Sequence, residues 1–258
     1  MDITGYDKSS RIDAAAKEAY KALRTNIRFS EKINGIKTIS ITSCIQGEGK
    51  TTTAVNLAKS MADSGMKTLL ADVDFRKPMI DKVFGLKLKA GLTSYIVGEV
   101  TIEEIVYGTG VDNLFVIPCG VIPPNPAELL SSERFSAFVK DIGHKHLEIM
   151  GGQPDIVIFD TPPLGSVIDA AIVAALTDGT ILVIKPKSTN YKLACQVKEQ
   201  LEKANAALLG VVINKVRKKD LKYGYYSYYY NYDYYYATDN KKPGNPLRKI
   251  MGKIKLCS

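Results

Sequence analysis

The chain has 258 residues, of which 45% are hydrophobic, and a formal net charge of +8 at pH 7. It is long enough to bury the core of one α/β domain, and no uncharged apolar run approaches the ~20 residues that a membrane-spanning helix needs. No secretory signal sequence is evident. The cysteines form neither a CxxC pair nor a metal-ligand pattern, which predicts reduced cytoplasmic thiols at Cys44, Cys119, Cys195 and Cys257.

The N-terminal part of the chain has the pattern of one amphipathic helix over residues 12–33, ahead of the first predicted strand. Glu18, Lys21 and Arg24 are spaced by three, so they lie on one face of this helix. That face is either a solvated charged surface or a docking surface for another subunit. We assign residues 1–34 to an N-terminal segment that contains this candidate oligomerisation helix.

Residues 38–53 (TISITSCIQGEGKTTT) predict a short strand, a glycine turn and the start of a helix over 52–64. This order forms a phosphate cradle, because glycines let successive backbone N–H groups face one concavity at a helix N-terminus. Lys50 is expected to reach the β- and γ-phosphates of a nucleotide, and the Thr51 hydroxyl to hold Mg²⁺. The predicted nucleotide-binding residues of this loop are Gln46, Gly47, Glu48, Gly49, Lys50, Thr51 and Thr52.

The match to the phosphate-loop motif G-x-x-x-x-G-K-[ST] is incomplete, because Cys44 stands where the motif has its first glycine. The alternative is an ordinary strand, turn and helix that contain Gly-Lys-Thr. The strand before the loop and the helix after it favour nucleotide binding.

Two aspartates lie at the end of the second predicted strand, residues 67–73. Asp72 and Asp74 are two positions apart, so in an extended chain they share a face. They are expected at the carboxyl edge of the sheet, where open α/β folds bind ligands. Two carboxylates at that place cost free energy unless they hold a cation or a proton, which favours a metal or proton-transfer site. The alternative interpretation is that the two aspartates only cap a helix or form a turn.

The middle of the chain continues the alternation of helices and strands. It predicts short helices over 92–97 and 102–106, a strand over 113–118 and one long helix over 127–146. Residues 155–160 (DIVIFD) then form a buried strand that ends in Asp160. An apolar strand that delivers a carboxylate to the sheet edge matches the Walker B arrangement for a metal-bound nucleotide, with a helix cap as the alternative.

The last part of the predicted core consists of a helix over 168–176, a strand over 180–185, a helix over 191–207 and a strand over 209–213. Asn214 follows this last strand and is a candidate contact for a nucleotide base. The alternation along the chain predicts an α/β fold, with a mostly parallel sheet covered by helices on both faces. We assign residues 35–221 to this domain.

The composition changes in residues 222–258, which we predict to be a disordered tail. Ten of the fifteen tyrosines fall within 223–236, a stretch without Arg or Lys. A sticky low-complexity segment and a base-stacking platform are the alternatives, but a strip of phenols beside a nucleotide site favours a phosphoryl acceptor. The candidate phosphoacceptors are Tyr223, Tyr225, Tyr226, Tyr228, Tyr229, Tyr230, Tyr232, Tyr234, Tyr235 and Tyr236.

The basic end of the tail, residues 241–258, carries six cations and no acid. Such a segment could contact nucleic acid, anionic lipid or an acidic partner. Its apolar residues share one side of a helix, which allows weak membrane-surface contact, with a solvated basic tail as the alternative.

Taken together, the motifs closely resemble those of the bacterial tyrosine kinases that govern capsule and exopolysaccharide synthesis, in the form whose cytosolic kinase is a separate chain. The matching stretches are QGEGKTT, LLADVDFRKP, IVIFDTPP, GVIPPNPAELLSSERF and the tyrosine cluster. The resemblance implies a P-loop NTPase fold with Walker A, A′ and B motifs, and ATP and Mg²⁺ as cofactors. It also implies tyrosine autokinase activity, which we expect to modify the C-terminal cluster in trans.

The resemblance assigns a role to each matching residue. Lys50 would stabilise the β- and γ-phosphates, and Asp74 would accept the tyrosine proton, although the division of roles between Asp72 and Asp74 stays open. Asn214 would contact adenine. The residues that would hold Mg²⁺, directly or through water, are Thr51, Asp72 and Asp160.

The resemblance also implies partners. Family members assemble as rings through a Glu-x-x-Arg-x-x-Arg helix, which here has Glu18, Lys21 and Arg24, with lysine at the middle position. A separate transmembrane activator would recruit the cytoplasmic kinase to the inner face of the cell membrane, and a cognate phosphotyrosine phosphatase would reverse the modification. The implied role is control of polysaccharide synthesis and export, with no nucleic-acid partner.

The main alternative is a P-loop ATPase that positions division sites or partitions chromosomes and binds membrane or DNA without kinase activity. Such proteins carry a lysine just before the loop glycines, where this chain has Ile45 and Gln46. The tyrosine cluster would also have no role in them. A nucleotide-gated scaffold for polymer export is a further alternative that the fold does not exclude.

Overall fold

The computed structural model describes residues 14–29 and 35–216, and every structural statement below is confined to these ranges. Its β-strands are β1 (Thr38–Ser43), β2 (Thr68–Asp72), β3 (Tyr107–Gly108), β4 (Leu114–Ile117), β5 (Ile156–Asp160), β6 (Gly179–Ile184) and β7 (Leu208–Ile213). Its α-helices are α1 (Ala14–Phe29), α2 (Lys50–Ala62), α3 (Ile80–Phe84), α4 (Leu92–Val97), α5 (Pro126–Leu130), α6 (Glu133–Ile142), α7 (Asp169–Leu176) and α8 (Tyr191–Lys203).

The strands form one seven-stranded sheet in the order β3-β4-β2-β5-β1-β6-β7. All neighbouring strands are parallel except β3, which pairs antiparallel with β4 at the edge. Every residue of β1, β2 and β5 is buried, because these central strands are covered on both faces. The predicted α/β fold with a mostly parallel sheet is therefore confirmed.

Helices cover the two faces of the sheet, and alternate residues of each strand point to opposite sides. In β2, Leu69 and Ala71 belong to the core under α4, α6 and α7, whereas Leu70 belongs to the core under α1, α2 and α3. A smaller third cluster packs α7 and α8 against β6.

The strand order brings the chemically important strand ends together. β2 and β5 are adjacent, with Asp72 paired in register with Asp160, and β5 is also adjacent to β1. Because parallel strands end at the same edge, the loop that leaves β1 lies beside both aspartates.

Helix α1 belongs to the same compact unit as the sheet, a unit that ends at Asn214. Ile27 is buried, and Tyr20 and Leu23 pack partly against the core beside α2. The Arg24 guanidinium donates to the Ser60 carbonyl on α2. Of the unit that follows Asn214 only two residues are described, so the predicted boundary at 221, the disorder of 222–258 and the tyrosine cluster lie outside the described residues.

The predicted long helix over 127–146 is wrong, because the chain forms α5 and α6 with a break between them. Ser132 has an extended backbone, with φ −68° and ψ 149°, and its hydroxyl accepts from the Phe135 amide at 3.2 Å. This N-cap bond starts a second helix. The sequence prediction also missed α3 and the two-residue strand β3, and residues 103–105 form a 3₁₀ turn inside the helix expected over 102–106.

No helix in residues 14–29 or 35–216 is both long and apolar enough to cross a membrane.

Candidate active site

The loop between β1 and α2 has the backbone of a phosphate cradle. Gly47 and Gly49 have φ values of 86° and 97°, in the left-handed region that glycine adopts without strain. Helix α2 begins at Lys50 immediately after Gly49, and the Thr53 amide closes its first turn on the Gly49 carbonyl at 2.8 Å. The first amides of a helix have no acceptor within the helix, so the start of this 13-residue helix beside the loop is suited to bind a phosphate.

The Lys50 ammonium group lies among acidic side chains at the centre of the site. Its Nζ is 2.7 Å from Asp74 Oδ2 and 3.8 Å from Asp160 Oδ1. Burial alone would lower the pKa of Lys50, but the neighbouring Asp160 and Asp74 carboxylates outweigh that effect and raise it. Lys50 is therefore a fixed positive charge where the motif predicts the β- and γ-phosphates.

Asp160 lies at the end of β5, at the same edge of the sheet. It is 1% exposed, and neither carboxylate oxygen forms a well-aligned hydrogen bond in the described part of the chain; its polar neighbours are the Lys50 ammonium, 3.8 Å from Oδ1, and the Thr51 hydroxyl. Burial raises the pKa of Asp160 to about 6, although Lys50 opposes this shift. A buried carboxylate whose oxygens form no well-aligned hydrogen bond among the described residues fits a hard cation such as Mg²⁺, which prefers oxygen ligands.

The structure shows Asp72 as an anchor for the loop that follows β2. Its Oδ2 accepts from the Met79 and Ile80 amides at 2.8 and 2.9 Å, at the start of α3, and its Oδ1 accepts from the Asp74 amide at 3.2 Å. Burial raises the pKa of Asp72 to about 7, against the lowering effect of these backbone bonds. Asp72 therefore has the contacts expected of a helix-cap and turn residue. A metal contact would have to use its remaining lone pairs or a water.

Asp74 is the acidic group closest to Lys50. Its Oδ2 takes the 2.7 Å ion pair, and its Oδ1 accepts from the Lys77 amide at 3.1 Å. The Lys77 ammonium in turn donates to the Gln46 side-chain oxygen at 3.0 Å, which joins the Walker A′ segment (LLADVDFRKP, residues 69–78) to the phosphate loop.

The side chain of Glu48 contacts protein groups around the loop. Its carboxylate accepts from the Ile45 amide at 2.9 Å, from the Lys185 amide at 3.1 Å and from the Thr189 hydroxyl. The Asn214 amide group donates to the Glu48 carbonyl at 2.9 Å. Asn214 thus lies at the phosphate loop, and the adenine contact predicted for it stays a prediction.

An ion pair that the sequence prediction missed holds the Walker A′ segment against α7. Arg76 Nε and Nη2 donate to the two carboxylate oxygens of Asp169 at 2.8 and 3.2 Å. Asp169 is 1% exposed, whereas Arg76 is 43% exposed. Arg76 lies in the DFRKP stretch (residues 74–78), but no sequence pattern near Asp169 indicates a distant partner.

We expect Arg76→Met to lower the free energy of unfolding by about 1–2 kcal/mol. The variant leaves the buried Asp169 carboxylate without its bidentate partner, although water can replace the partly exposed guanidinium to some extent. Urea denaturation at pH 7.5 would measure the change. In the control Arg76→Met/Asp169→Asn, which removes both charges, the loss should be smaller than in Arg76→Met alone. Equal losses in free energy of unfolding would contradict a stabilising interaction between Arg76 and Asp169.

The three residues predicted for oligomerisation form contacts within the chain. Lys21 Nζ lies 2.7 Å from Glu18 Oε1 on the same helix, and both side chains are more than half exposed. Arg24 contacts Ser60 on α2. The assignment of this face to a ring interface stays a prediction.

Comparisons with known proteins cover most of the chain. The model of a family described as AAA domain matches residues 36–209. Tyrosine-protein kinase CpsD of Streptococcus agalactiae is 38% identical over 224 residues, which are 86% of this chain and 93% of that protein. The chain belongs to the bacterial tyrosine kinases. Tyrosine-protein kinase YwqD of Bacillus subtilis is 41% identical to this kinase over 210 residues, 81% of the kinase and 85% of YwqD.

A solved structure supports the same assignment. The kinase domain of Escherichia coli tyrosine kinase ETK matches this kinase with a TM-score of 0.71 and 29% identity, over 87% of the kinase and 84% of that domain. The predicted P-loop NTPase fold and tyrosine kinase family are confirmed, and nucleotide binding follows from them. The positioning or partition ATPase is therefore not the family of this chain.

Proposed function

We propose that this kinase transfers the γ-phosphoryl group of ATP to tyrosines of the C-terminal cluster on a neighbouring copy. The observation that supports this most directly is the position of Lys50, whose Nζ is 2.7 Å from Asp74 and 3.8 Å from the buried carboxylate of Asp160. A cation for the phosphates, a carboxylate for the tyrosine proton and a carboxylate for a metal thus lie at one sheet edge.

The residues present fit Mg²⁺ that arrives with the nucleotide. Thr51 and Asp160 would hold it, and Asp72 would act through its remaining lone pairs or a water. In the described ranges, no group of three or more His, Cys, Asp or Glu side chains forms a metal site on its own. When bound, Mg²⁺ would neutralise charge that develops on the transferred group.

The chain's own residues would do the remaining work. Lys50 would leave Asp74 and bind the β- and γ-phosphate oxygens, which carry more negative charge. Asp74 would then accept the phenol proton of the tyrosine, whose unperturbed pKa of ~10 makes a carboxylate within hydrogen-bond reach useful. Positioning of the phenol in line with the transferred group would supply much of the rate.

The covalent link between the tyrosine cluster and its own kinase domain favours transfer between copies. A cluster joined to its own subunit has a high local concentration near neighbouring sites, while its own site need not be within reach. We propose that copies assemble in a ring through the α1 face that carries Glu18, Lys21 and Arg24. A transmembrane activator would recruit the ring to the inner face of the cell membrane, and a phosphotyrosine phosphatase would reset it. The proposed role is control of capsule or exopolysaccharide synthesis and export.

An experiment with two marked variants tests transfer between copies. The donor has phenylalanine in place of all ten clustered tyrosines, and the acceptor is Lys50→Met with its tyrosines intact. Mixed with ATP and Mg²⁺, and with the activator's cytosolic segment if needed, the acceptor is expected to gain phosphotyrosine that neither variant gains alone. Mass spectrometry would locate it within 223–236.

Two results would contradict the proposal in different ways. Phosphotyrosine that forms in wild-type protein but not in the mixture would indicate transfer within one chain. ATP hydrolysis without any phosphotyrosine in the wild-type protein would indicate a nucleotide-dependent switch.

A further inference from the structure

The Glu48 carboxylate is the feature of the phosphate loop that nucleotide binding does not explain. It stands between two glycines, at 1% exposure, in a loop that must receive several negative charges. A buried carboxylate in that place repels an anionic ligand and is costly unless protein groups satisfy it. The hydrogen bonds of this carboxylate therefore indicate its role.

Those contacts all lead to one neighbouring segment and to the loop itself. Oε1 accepts from the Lys185 amide at 3.1 Å and from the Thr189 hydroxyl, and Oε2 accepts from the Ile45 amide at 2.9 Å. Each carboxylate oxygen is thus engaged by donors of the protein. The side chain closes the loop on its own start, at Ile45, and fastens it to the turn that follows β6.

Two backbone hydrogen bonds define the turn after β6. The Ser188 and Thr189 amides both donate to the Lys185 carbonyl at 3.2 Å, so the Lys185 amide and the Thr189 hydroxyl reach Glu48 from one tight turn. A third connection comes from the end of β7, where Asn214 donates its side-chain amide to the Glu48 carbonyl at 2.9 Å. The Asn214 backbone amide is held by the Ile184 carbonyl at 2.8 Å.

We infer that Glu48 is a positioning residue that sets the shape of the phosphate loop by fastening it to the turn 185–189, and that this connection tunes the affinity for nucleotide. The inference rests on the proposed nucleotide site. It reassigns the Glu48 side chain from a contact with the ligand to a contact with the protein.

Nucleotide affinity separates this role from direct binding. We expect Glu48→Gln to weaken binding of a fluorescent ADP analogue about tenfold or more, because glutamine replaces one acceptor oxygen by a donor that meets other donors. Thr189→Val should weaken it about threefold to tenfold, and Thr189→Ser, which keeps the hydroxyl, should bind like wild type. Because no metal contact is involved, the losses should be equal with Mg²⁺ and with EDTA.

The chain offers a matched control. Thr101 donates from its hydroxyl and its amide to Glu104 Oε2 at 3.0 and 2.7 Å, on the exposed turn that precedes the edge strand β3. Glu104→Gln and Thr101→Val make the same chemical changes there and should alter ADP affinity less than twofold. Hydrogen exchange of the Ile45 and Lys185 amides should be faster in Glu48→Gln and unchanged in the controls.

The combined variant completes the test. Glu48→Ala/Thr189→Val should bind ADP no more weakly than Glu48→Ala alone, because Glu48→Ala already removes the acceptor of the Thr189 hydroxyl. The inference is overturned if Thr189→Val binds like wild type, or if the loss in Glu48→Gln appears only with Mg²⁺, since Glu48 would then act on the ligand. Wild-type protein that binds ADP but forms no phosphotyrosine would refute the proposed kinase reaction and leave this inference standing.

Discussion

Lys50→Met is expected to abolish tyrosine phosphorylation and also to destabilise the nucleotide-free protein. Loss of the ammonium group removes the charge that stabilises the transferred phosphoryl group, which should reduce the rate by a factor on the order of 10²–10³ or more. It also leaves Asp74 and Asp160, with side chains 5% and 1% exposed, without their cation. Breaking a buried ion pair from one side costs about 3–5 kcal/mol, and urea denaturation at pH 7.5 would measure the loss.

The double variant Lys50→Met/Asp74→Asn separates the two effects. Because it removes both members of the 2.7 Å pair, it should regain a large part of the lost stability while it stays inactive. If Lys50→Met were as stable as wild type, the ion pair would contribute nothing. If the double variant phosphorylated tyrosine, neither side chain would be required for the reaction.

Asp160→Asn is expected to stabilise the nucleotide-free protein at neutral pH while it abolishes activity. The substitution removes a buried charge whose desolvation outweighs its attraction to Lys50, 3.8 Å away, and the Lys50–Asp74 pair remains. The gain in free energy of unfolding should be on the order of 3 kcal/mol, since the pKa is raised from 3.8 to about 6 and each unit corresponds to ~1.4 kcal/mol. Activity should be lost because the carboxylate proposed to hold Mg²⁺ is gone.

The pH dependence of this gain follows from the direction of the shift. A carboxyl group with a raised pKa in the folded state binds more protons there than in the unfolded chain, so wild-type stability falls as pH rises between 3.8 and about 6. Asp72, with its pKa raised to about 7, adds a fall in the same direction. That fall should be smaller in Asp160→Asn, because the Asp160 charge is one cause of the Asp72 shift.

Urea denaturation in EDTA at pH 4.5 and at pH 8 would test this dependence. The advantage of Asp160→Asn over wild type should be small at pH 4.5 and fully developed at pH 8. An equal advantage at both pH values would show that the gain comes from packing rather than from charge. Asp178→Asn serves as a control, because Asp178 accepts well-formed bonds from the Lys37 and Thr38 amides and its replacement should not stabilise the protein.

The elements that sequence patterns located well are those whose signals are local. β1, the glycine turn and α2 follow from β-branched residues, two glycines at positive φ and a helix that starts at Lys50. The break at Ser132 was also local, because a serine that caps the Phe135 amide is a helix-start signal, and the apolar periodicity across it hid that signal.

Other features had no local signal to find. α3 starts where Asp72 accepts the Met79 and Ile80 amides, a contact that spans the whole Walker A′ loop. The pair of Arg76 with Asp169 joins residues 93 positions apart, and Glu48 meets Thr189 across 141. Such contacts depend on which strands become neighbours, and the sequence pattern does not state that order.

The sequence by itself determined the fold class, the phosphate loop and the acidic strand ends, because short-range backbone and burial preferences specify each of them. Only the tertiary structure decided what each carboxylate does: Asp72 anchors a loop, Asp74 pairs with Lys50 at 2.7 Å, Asp160 lies 3.8 Å from Lys50 without a well-aligned hydrogen bond among the described residues, and Glu48 fastens the loop to the turn after β6. The physical reason is that a carboxylate's role depends on the donors around it, and packing of distant segments brings those donors there.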